Sequence, residues 1–163
     1  MNGQQGASLL EVLVAMLVLS VVILGFVALQ VRATQNSVEY TQINRATALI
    51  RDLTERMRVN RAGQEIWLQA SQSSSNSSPN CQQQDCTPQE FALYDLAQVQ
   101  ATAKAYAMKV AVLPCQNTAM QRQCIYVAWG DTQASHGDGK PHCTQGTGYV
   151  PQARCVMMEA YVY

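Results

Sequence analysis

The sequence carries little charge, and neither sign is in excess. Only 13% of the 163 residues are Asp, Glu, Lys or Arg, and 11 basic side chains balance 11 acidic ones. A nucleic-acid-binding domain usually has clustered Lys and Arg, because contacts with phosphates supply much of its affinity. The balance therefore argues against a nucleic-acid partner, and the chain length favours one domain.

Ionisable residues are almost absent from the N-terminal part of the chain. Between residues 7 and 31 the only one is Glu11, and the apolar run 12–29 is broken only by Ser20 and Gly25. A bilayer span needs about 20 helical residues, so this run is long enough to cross a membrane. Proline is also missing from the first 78 residues, which allows one helix to continue well beyond the span.

A basic segment before the apolar run is missing too. A secretory signal peptide has a basic segment, a short apolar core and then a cleavage site of small residues. Here the order is reversed, because the polar segment MNGQQG ends in Gly6 and precedes the core. Cleavage after Gly6 would leave the apolar helix at the new N-terminus instead of removing it.

The stretch GASLLEVLVAMLVLS, residues 6–20, resembles the class III leader of type IV pilins. In that family a prepilin peptidase cuts after a glycine, and the retained apolar helix carries an acidic residue near its start. The resemblance implies that Gly6 is the cleavage position, Ala7 the new N-terminal residue and Glu11 the acidic residue used in subunit assembly. The chain departs from the pattern in two ways, since the leader lacks a basic residue and Ala7 stands where phenylalanine is commoner.

The position of Glu11 has a physical explanation within this resemblance. A charge inside an apolar span costs roughly 2.5–3.5 kcal/mol on insertion scales, so such a residue normally has a partner. Cleavage would create one, because the Ala7 amine would lie one helical turn away on the same face. In pilins the acidic residue is thought to meet the N-terminal amine of a neighbouring subunit. Two simpler interpretations stay open: Glu11 reaches water from the helix end, or it only benefits from the helix N-terminus.

Apolar residues continue at helical spacing after the span. Those predicted to share one face are Val38, Ile43, Ala46, Leu49, Ile50, Leu53 and Met57. Arg51 with Glu55 and Asp52 with Arg56 stand four residues apart, which predicts ion pairs on the exposed side. We expect a single helix of about 50 residues, with a coiled coil as the alternative.

The remaining sequence predicts a loop, a short helix and three strands. The segment 68–86 is rich in Ser, Gln and Asn and is predicted to be a loop. Thr87, Pro88 and Glu90 then form a capping-box pattern that starts a helix ending near Ala103. The runs YAMKVAVLP, CIYVAWG and CVMMEAYVY predict strands.

Together these segments predict an α+β, pilin-like fold. A long N-terminal helix, half transmembrane and half amphipathic, would pack on a small antiparallel β-sheet with one short extra helix. The predicted boundaries are a leader at 1–6, the transmembrane part of the helix at 7–31, its amphipathic part at 32–62 and a disulfide-containing head at 63–163, on which residues 34–62 pack.

All six cysteines follow the apolar run, and an even number in a short domain indicates disulfides in an oxidising compartment. This favours a periplasmic C-terminal domain, although Arg32 and Arg45 after the span weakly favour the opposite orientation. No C-x-x-C pair is present, which disfavours zinc. Six cysteines allow 15 full pairings, which the sequence alone does not separate. We choose the sequential one, in which each bond closes a short loop: Cys81 with Cys86, Cys115 with Cys124, and Cys143 with Cys155.

Metal-ligand residue types cluster in the segment SHGDGKPHC, which contains His136, Asp138, His142 and Cys143. Its glycines and proline instead indicate a solvated, turn-rich loop. The sequence has no nucleophile beside an obvious base and no phosphate-binding glycine loop. We therefore predict no enzyme activity, no catalytic residues, no metal and no cofactor.

Further segments extend the resemblance to PilV-type minor pilins, the low-abundance subunits of type IV pili. They are, in order, ALQVRATQNS, RATALIRDLTERMRVNRAG, YDLAQ and IYVAWGD. The resemblance implies prepilin peptidase, other minor and major pilins and the pilus assembly machinery as partners, with the bacterial inner membrane as the location before assembly and the pilus at the cell surface afterwards.

The predicted function is therefore a minor pilin that contributes to pilus initiation, twitching motility or adhesion, without a small-molecule substrate. One alternative is a minor pseudopilin of a type II secretion system, whose leader and helix would look the same. The other is a tip-exposed module that binds a surface or DNA through the loop from Gln69 to Asp85 or the loop around His136.

We predict that the chain isolated from its native membrane begins at Ala7 and is methylated on its amino group. Intact-mass spectrometry measures both changes. Gly6→Leu should block the cut, because a bulky side chain replaces the glycine on which the cleavage pattern depends, whereas Gly3→Leu in the same leader should leave processing intact. A wild-type chain that still begins at Met1 contradicts the prediction.

Overall fold

The computed structural model describes residues 9–72, 78–118 and 122–160. The helices are α1 (Leu9–Val59), α2 (Gln64–Gln72) and α3 (Pro88–Ala105), with a 3-10 turn at Arg61–Gly63. The strands are β1 (Met108–Pro114), β2 (Gln123–Trp129), β3 (Gln133–His136), β4 (His142–Gln145), β5 (Gly148–Tyr149) and β6 (Cys155–Ala160). Contacts divide the chain into two compact units, Met1–Thr41 and Gln42–Tyr163.

The described part of the first unit is the N-terminal part of α1. An 18-residue window of this helix has a mean hydropathy of 3.1, and none of the window is buried. By length and composition, α1 is the one helix in the described ranges that could cross a membrane. A helix that is apolar all round requires lipid or other helices around it.

The rest of α1 packs within the second unit. It buries five apolar side chains along one face: Ala46, Leu49, Ile50, Leu53 and Met57. Val38 and Ile43 were predicted to share this face, but they are 57% and 37% exposed. Both residues precede Ala46, the first α1 residue of the buried core, so lying on the same face does not bury them.

A tight turn connects α1 to α2. The side-chain oxygen of Asn60 accepts a hydrogen bond from the Gly63 N–H at 3.2 Å, and its amide donates to the Pro88 carbonyl at 2.6 Å. Helix α2 then extends to Gln72, so the segment predicted as a loop from residue 68 begins as helix. Trp67 explains the difference, because its fully buried side chain anchors α2 in the core.

Helix α3 begins with the predicted capping box, which is confirmed. The Glu90 N–H donates to the Thr87 hydroxyl at 3.3 Å, and the Thr87 N–H donates to the Glu90 carboxylate at 2.8 Å. The backbone N–H of Thr87, and then its hydroxyl, lower the pKa of Glu90. Pro88 occupies the first turn, where its missing N–H costs nothing.

Strands β1, β2 and β6 form an antiparallel sheet with β2 in the centre. All seven residues of β2 are buried, because both of its faces are covered. Ile125 and Val127 belong to the main core with the helices, whereas Cys124 and Tyr126 form a second cluster with Cys143. This alternation follows the two-residue period of a strand, and the predicted pilin-like α+β fold is confirmed.

A second, smaller sheet was not predicted. Strand β3 runs parallel to β4, and β4 runs antiparallel to β5. The segment SHGDGKPHC, predicted as a loop, contributes the end of β3 and the start of β4, and the cis peptide bond Lys140–Pro141 lies in the turn between them. These strands have only two to four residues, too few to show an alternating pattern.

We predict that Gly63→Ala lowers the free energy of unfolding by about 1–3 kcal/mol. A Cβ at this position would lie 2.7 Å from the Pro88 carbonyl oxygen and 3.0 Å from the Ala92 Cβ, so the turn or α3 would have to move. Thermal unfolding of the detergent-solubilised chain, followed by near-UV circular dichroism, measures the loss. Gly148→Ala is the matched control, because nothing lies within 4 Å of its Cβ position. Equal melting temperatures for the two variants would refute the predicted close packing.

Candidate functional site

Glu11 lies in the first turn of α1 and is exposed. Its neighbours in sequence are large apolar side chains that are also exposed, Leu10 and Val12 among them. The other two predicted processing residues, Gly6 and Ala7, lie outside the described residues. Within the described residues Glu11 therefore lies near the N-terminal end of the apolar helix, and its role in assembly stays a prediction.

The apolar surface around Glu11 surrounds the helix instead of forming one stripe. Large apolar side chains are exposed at nearly every position from Leu9 to Val31. The hydroxyl of Ser20 donates to the Leu17 carbonyl at 2.7 Å, and that of Thr34 donates to the Gln30 carbonyl at 2.9 Å. These hydroxyls are satisfied within the helix, which removes the cost of carrying them into an apolar environment.

Arg56 links α1 to α3 by a contact that the sequence did not reveal. Its guanidinium lies 2.6 Å from a carboxylate oxygen of Asp95, whose side chain is 6% exposed, and 3.1 Å from Asp52. Burial acts to lower the pKa of Arg56, but hydrogen bonds to the two carboxylates outweigh it and raise the pKa. The Asp52 pair was predicted from spacing, whereas Asp95 lies 39 residues away along the chain.

The predicted ion pair between Arg51 and Glu55 is not formed. Glu55 forms its ion pair with Arg58, at 3.1 Å, instead of Arg51. Residues three and four apart are both neighbours on a helix surface, so spacing alone did not decide between the two arginines.

The structure contains three disulfide bonds, in sequential order along the chain. Cys81–Cys86, Cys115–Cys124 and Cys143–Cys155 have Cα–Cα distances of 5.5, 5.0 and 5.8 Å. The second closes the β1–β2 hairpin, and the third joins β4 to β6, so it links the two sheets.

The residues with metal-ligand side chains do not converge. Cys143 is bonded to Cys155, and the Nδ1 atom of His142 lies 2.9 Å from the Ser135 hydroxyl. Asp138 accepts a hydrogen bond from the Gln145 amide at 3.1 Å. Within the described ranges, no group of three or more His, Cys, Asp or Glu residues is placed to hold a metal ion.

Two protein-family models match the chain. The prokaryotic N-terminal methylation motif matches residues 1–27, and the family described as Type IV pilin Tt1218 matches residues 28–97. No curated protein and no solved structure matches the chain significantly. The two matched segments adjoin, and they include all of α1 and α2 and the first half of α3.

An apolar N-terminal helix whose C-terminal part packs on an antiparallel sheet, with a methylation motif at its start, defines a pilin-type subunit. The chain is a type IV pilin with a class III leader. Membership implies processing by prepilin peptidase, assembly with other pilins and a structural role.

We predict that replacing both Cys143 and Cys155 by Ser lowers the free energy of unfolding by about 3 kcal/mol, because the loop closed by this bond becomes unrestrained in the unfolded chain. Urea unfolding of the full chain in detergent measures the change. The same replacement of Cys81 and Cys86 is the control and should cost less, since its loop is shorter and its cysteines are less buried. Peptide mapping without reduction tests the pairing directly, and any crossed pair would refute it.

Proposed function

We propose that this type IV pilin is a minor pilin. Prepilin peptidase cleaves it after Gly6, the new N-terminus at Ala7 is methylated, and the processed subunit enters a pilus with other pilins. One observation carries the proposed processing and assembly: an apolar helical segment, exposed on every side, begins with Glu11 as its single ionisable residue and matches the methylation motif.

In this proposal Glu11 is the residue that selects the position of the incoming subunit. Its carboxylate is unfavourable in lipid, and a positively charged amine is the partner that best offsets that cost. Each processed subunit would supply one such amine, at Ala7. Pairing between neighbouring subunits would fix the axial offset of one helix against the next, while the apolar surface supplies most of the contact area.

The proposed location is the bacterial inner membrane, with a single pass and a periplasmic C-terminal domain, followed by the pilus at the cell surface. Disulfides form and persist in oxidising compartments, and all six cysteines follow the apolar segment in the sequence. This favours the periplasmic orientation over the weak opposite bias from Arg32 and Arg45.

The minor role rests on the PilV-like segments and on the distribution of the family matches. Residues 98–163 lie beyond the matched segments, and they contain the six strands of the described ranges and two of the three disulfides. The matched helical region would let the subunit assemble with other pilins, and the sheet region outside the matches would carry its particular role. This arrangement suits a low-abundance component that contributes to pilus initiation, twitching motility or adhesion.

Deletion of the gene tests the proposal against a type II secretion pseudopilin. Loss of surface pili with normal export of secreted enzymes is the expected result. Loss of exported enzymes with normal pili would refute the pilus assignment and identify a pseudopilin instead.

We predict that Glu11→Ala leaves membrane insertion unchanged or improved but fails to restore pili in the deletion strain. Insertion benefits because a charge is removed from the apolar segment, whereas assembly loses the proposed partner of the N-terminal amine. Quantitative immunoblotting of membrane and sheared-pilus fractions measures both. Glu39→Ala is the matched control, since Glu39 is exposed on α1 beyond the apolar run. If Glu11→Ala enters filaments as well as the wild type, the carboxylate is merely tolerated.

A further inference from the structure

A polar cleft of about 480 Å³ lies among three loops of the second unit. The loops are the β2–β3, β3–β4 and β5–β6 connections. The polar side chains that line it belong to Asp131, Thr132, Lys140, His142, Gln152 and Arg154. None of these residues has a part in processing or helix assembly, so the cleft is independent of whether the subunit is a minor or a major pilin.

Hydrogen bonds hold the three loops in fixed relation. The Arg154 N–H donates to the Thr132 hydroxyl at 2.9 Å, and the Arg154 carbonyl accepts from the Trp129 N–H at 3.0 Å. The Gln133 N–H donates to the Pro141 carbonyl at 2.8 Å. Because the Cys143–Cys155 bond also crosslinks the strands that bear two of the loops, the cleft is preformed, which reduces the entropy lost on binding.

Two cations in the cleft have no acidic partner among the residues that the structure describes. None of the ion pairs within the described ranges involves Lys140 or Arg154. The Lys140 ammonium donates to the Gln152 side-chain oxygen at 2.8 Å, which uses one of its three N–H groups. With Asp131 as the only carboxylate of the lining, the cleft has a net charge of +1, although the whole chain has a net charge of zero.

We propose that this cleft binds a carboxylated saccharide. A guanidinium fork matches a carboxylate in two parallel hydrogen bonds, and the remaining Lys140 donors add a second positive contact. Asp131 and Gln152 offer acceptors for sugar hydroxyls, and the Pro141 ring offers an apolar surface to the C–H face of the sugar. The volume lies within the range of sites for small ligands, whereas a bare inorganic anion would leave most of it unfilled.

The charge distribution disfavours a nucleic acid as the occupant. Affinity for a phosphate backbone depends on neutralising several phosphates with Lys and Arg, and this cleft has a net charge of only +1. Asp131 would also lie against any polyanion that crossed the cleft, whereas it can accept a hydrogen bond from a hydroxyl of a saccharide.

Isothermal titration calorimetry of the full chain in neutral detergent tests the proposal. The probes are D-glucuronate, D-galacturonate and N-acetylneuraminate, with D-glucose, inorganic phosphate and a short DNA duplex as comparisons. We expect at least one acidic sugar to bind with a millimolar or lower Kd. Arg154→Gln and Lys140→Gln should each weaken that binding by about tenfold or more, equivalent to ~1.4 kcal/mol.

Two control variants separate recognition from folding. Arg61→Gln removes an exposed cation outside the cleft and should leave the affinity unchanged. Arg154→Lys keeps the charge but loses the guanidinium fork, so it should bind more weakly than the wild type and more tightly than Arg154→Gln. The backbone N–H and carbonyl of Arg154 make the loop contacts, so these side-chain changes preserve them, and near-UV circular dichroism verifies the fold.

Four results would overturn the proposal: no binding of any acidic sugar, equal binding of glucose, equal binding of phosphate, or tighter binding of DNA. The cleft variants should still restore pili in the deletion strain. Failure of saccharide binding is therefore distinguishable from failure of the pilin assignment.

Discussion

The second unit depends on the burial of β2 on both faces. On one face, Ile125 and Val127 lie in the core formed with α1, α2 and α3, and on the other Cys124 and Tyr126 lie against Cys143 of the small sheet. Hydrogen bonds to β1 and β6 satisfy the backbone of this strand. Strand β2, which is packed on both faces, therefore supports the small sheet and the loops around it.

The apolar residues of α1 have opposite environments in its two parts. From Ala46 onwards, one face is buried by the chain's own core, so the other face can be polar, as the exposed Asp52 and Glu55 illustrate. Near the N-terminus the apolar residues surround the helix and are exposed. The protein therefore provides a cover for one part and leaves the other to be covered by lipid or by other helices.

The sequence predicted those features whose signal lies within one short segment of the chain. Helix periodicity, the Thr87 capping box and the apolar runs of β1, β2 and β6 are local patterns, and each predicted an element that the structure contains. The small sheet was missed because strands as short as Gly148–Tyr149 have no periodic pattern. The Arg56–Asp95 pair depends on a tertiary contact that no local signal indicates. The segment SHGDGKPHC indicated one loop of the cleft, but its proximity to Arg154 also depends on tertiary contacts.

The Cys143–Cys155 bond restrains two of the three loops that form the polar cleft. Strands β3, β4 and β5 are short, and within the described residues this bond is the one disulfide between their sheet and the larger one. A chain with reduced thiols lacks that restraint, and only the hydrogen bonds among the loops then hold those that carry Lys140 and Arg154. Under the proposed periplasmic orientation, this restraint would form only after export, because disulfides form in oxidising compartments.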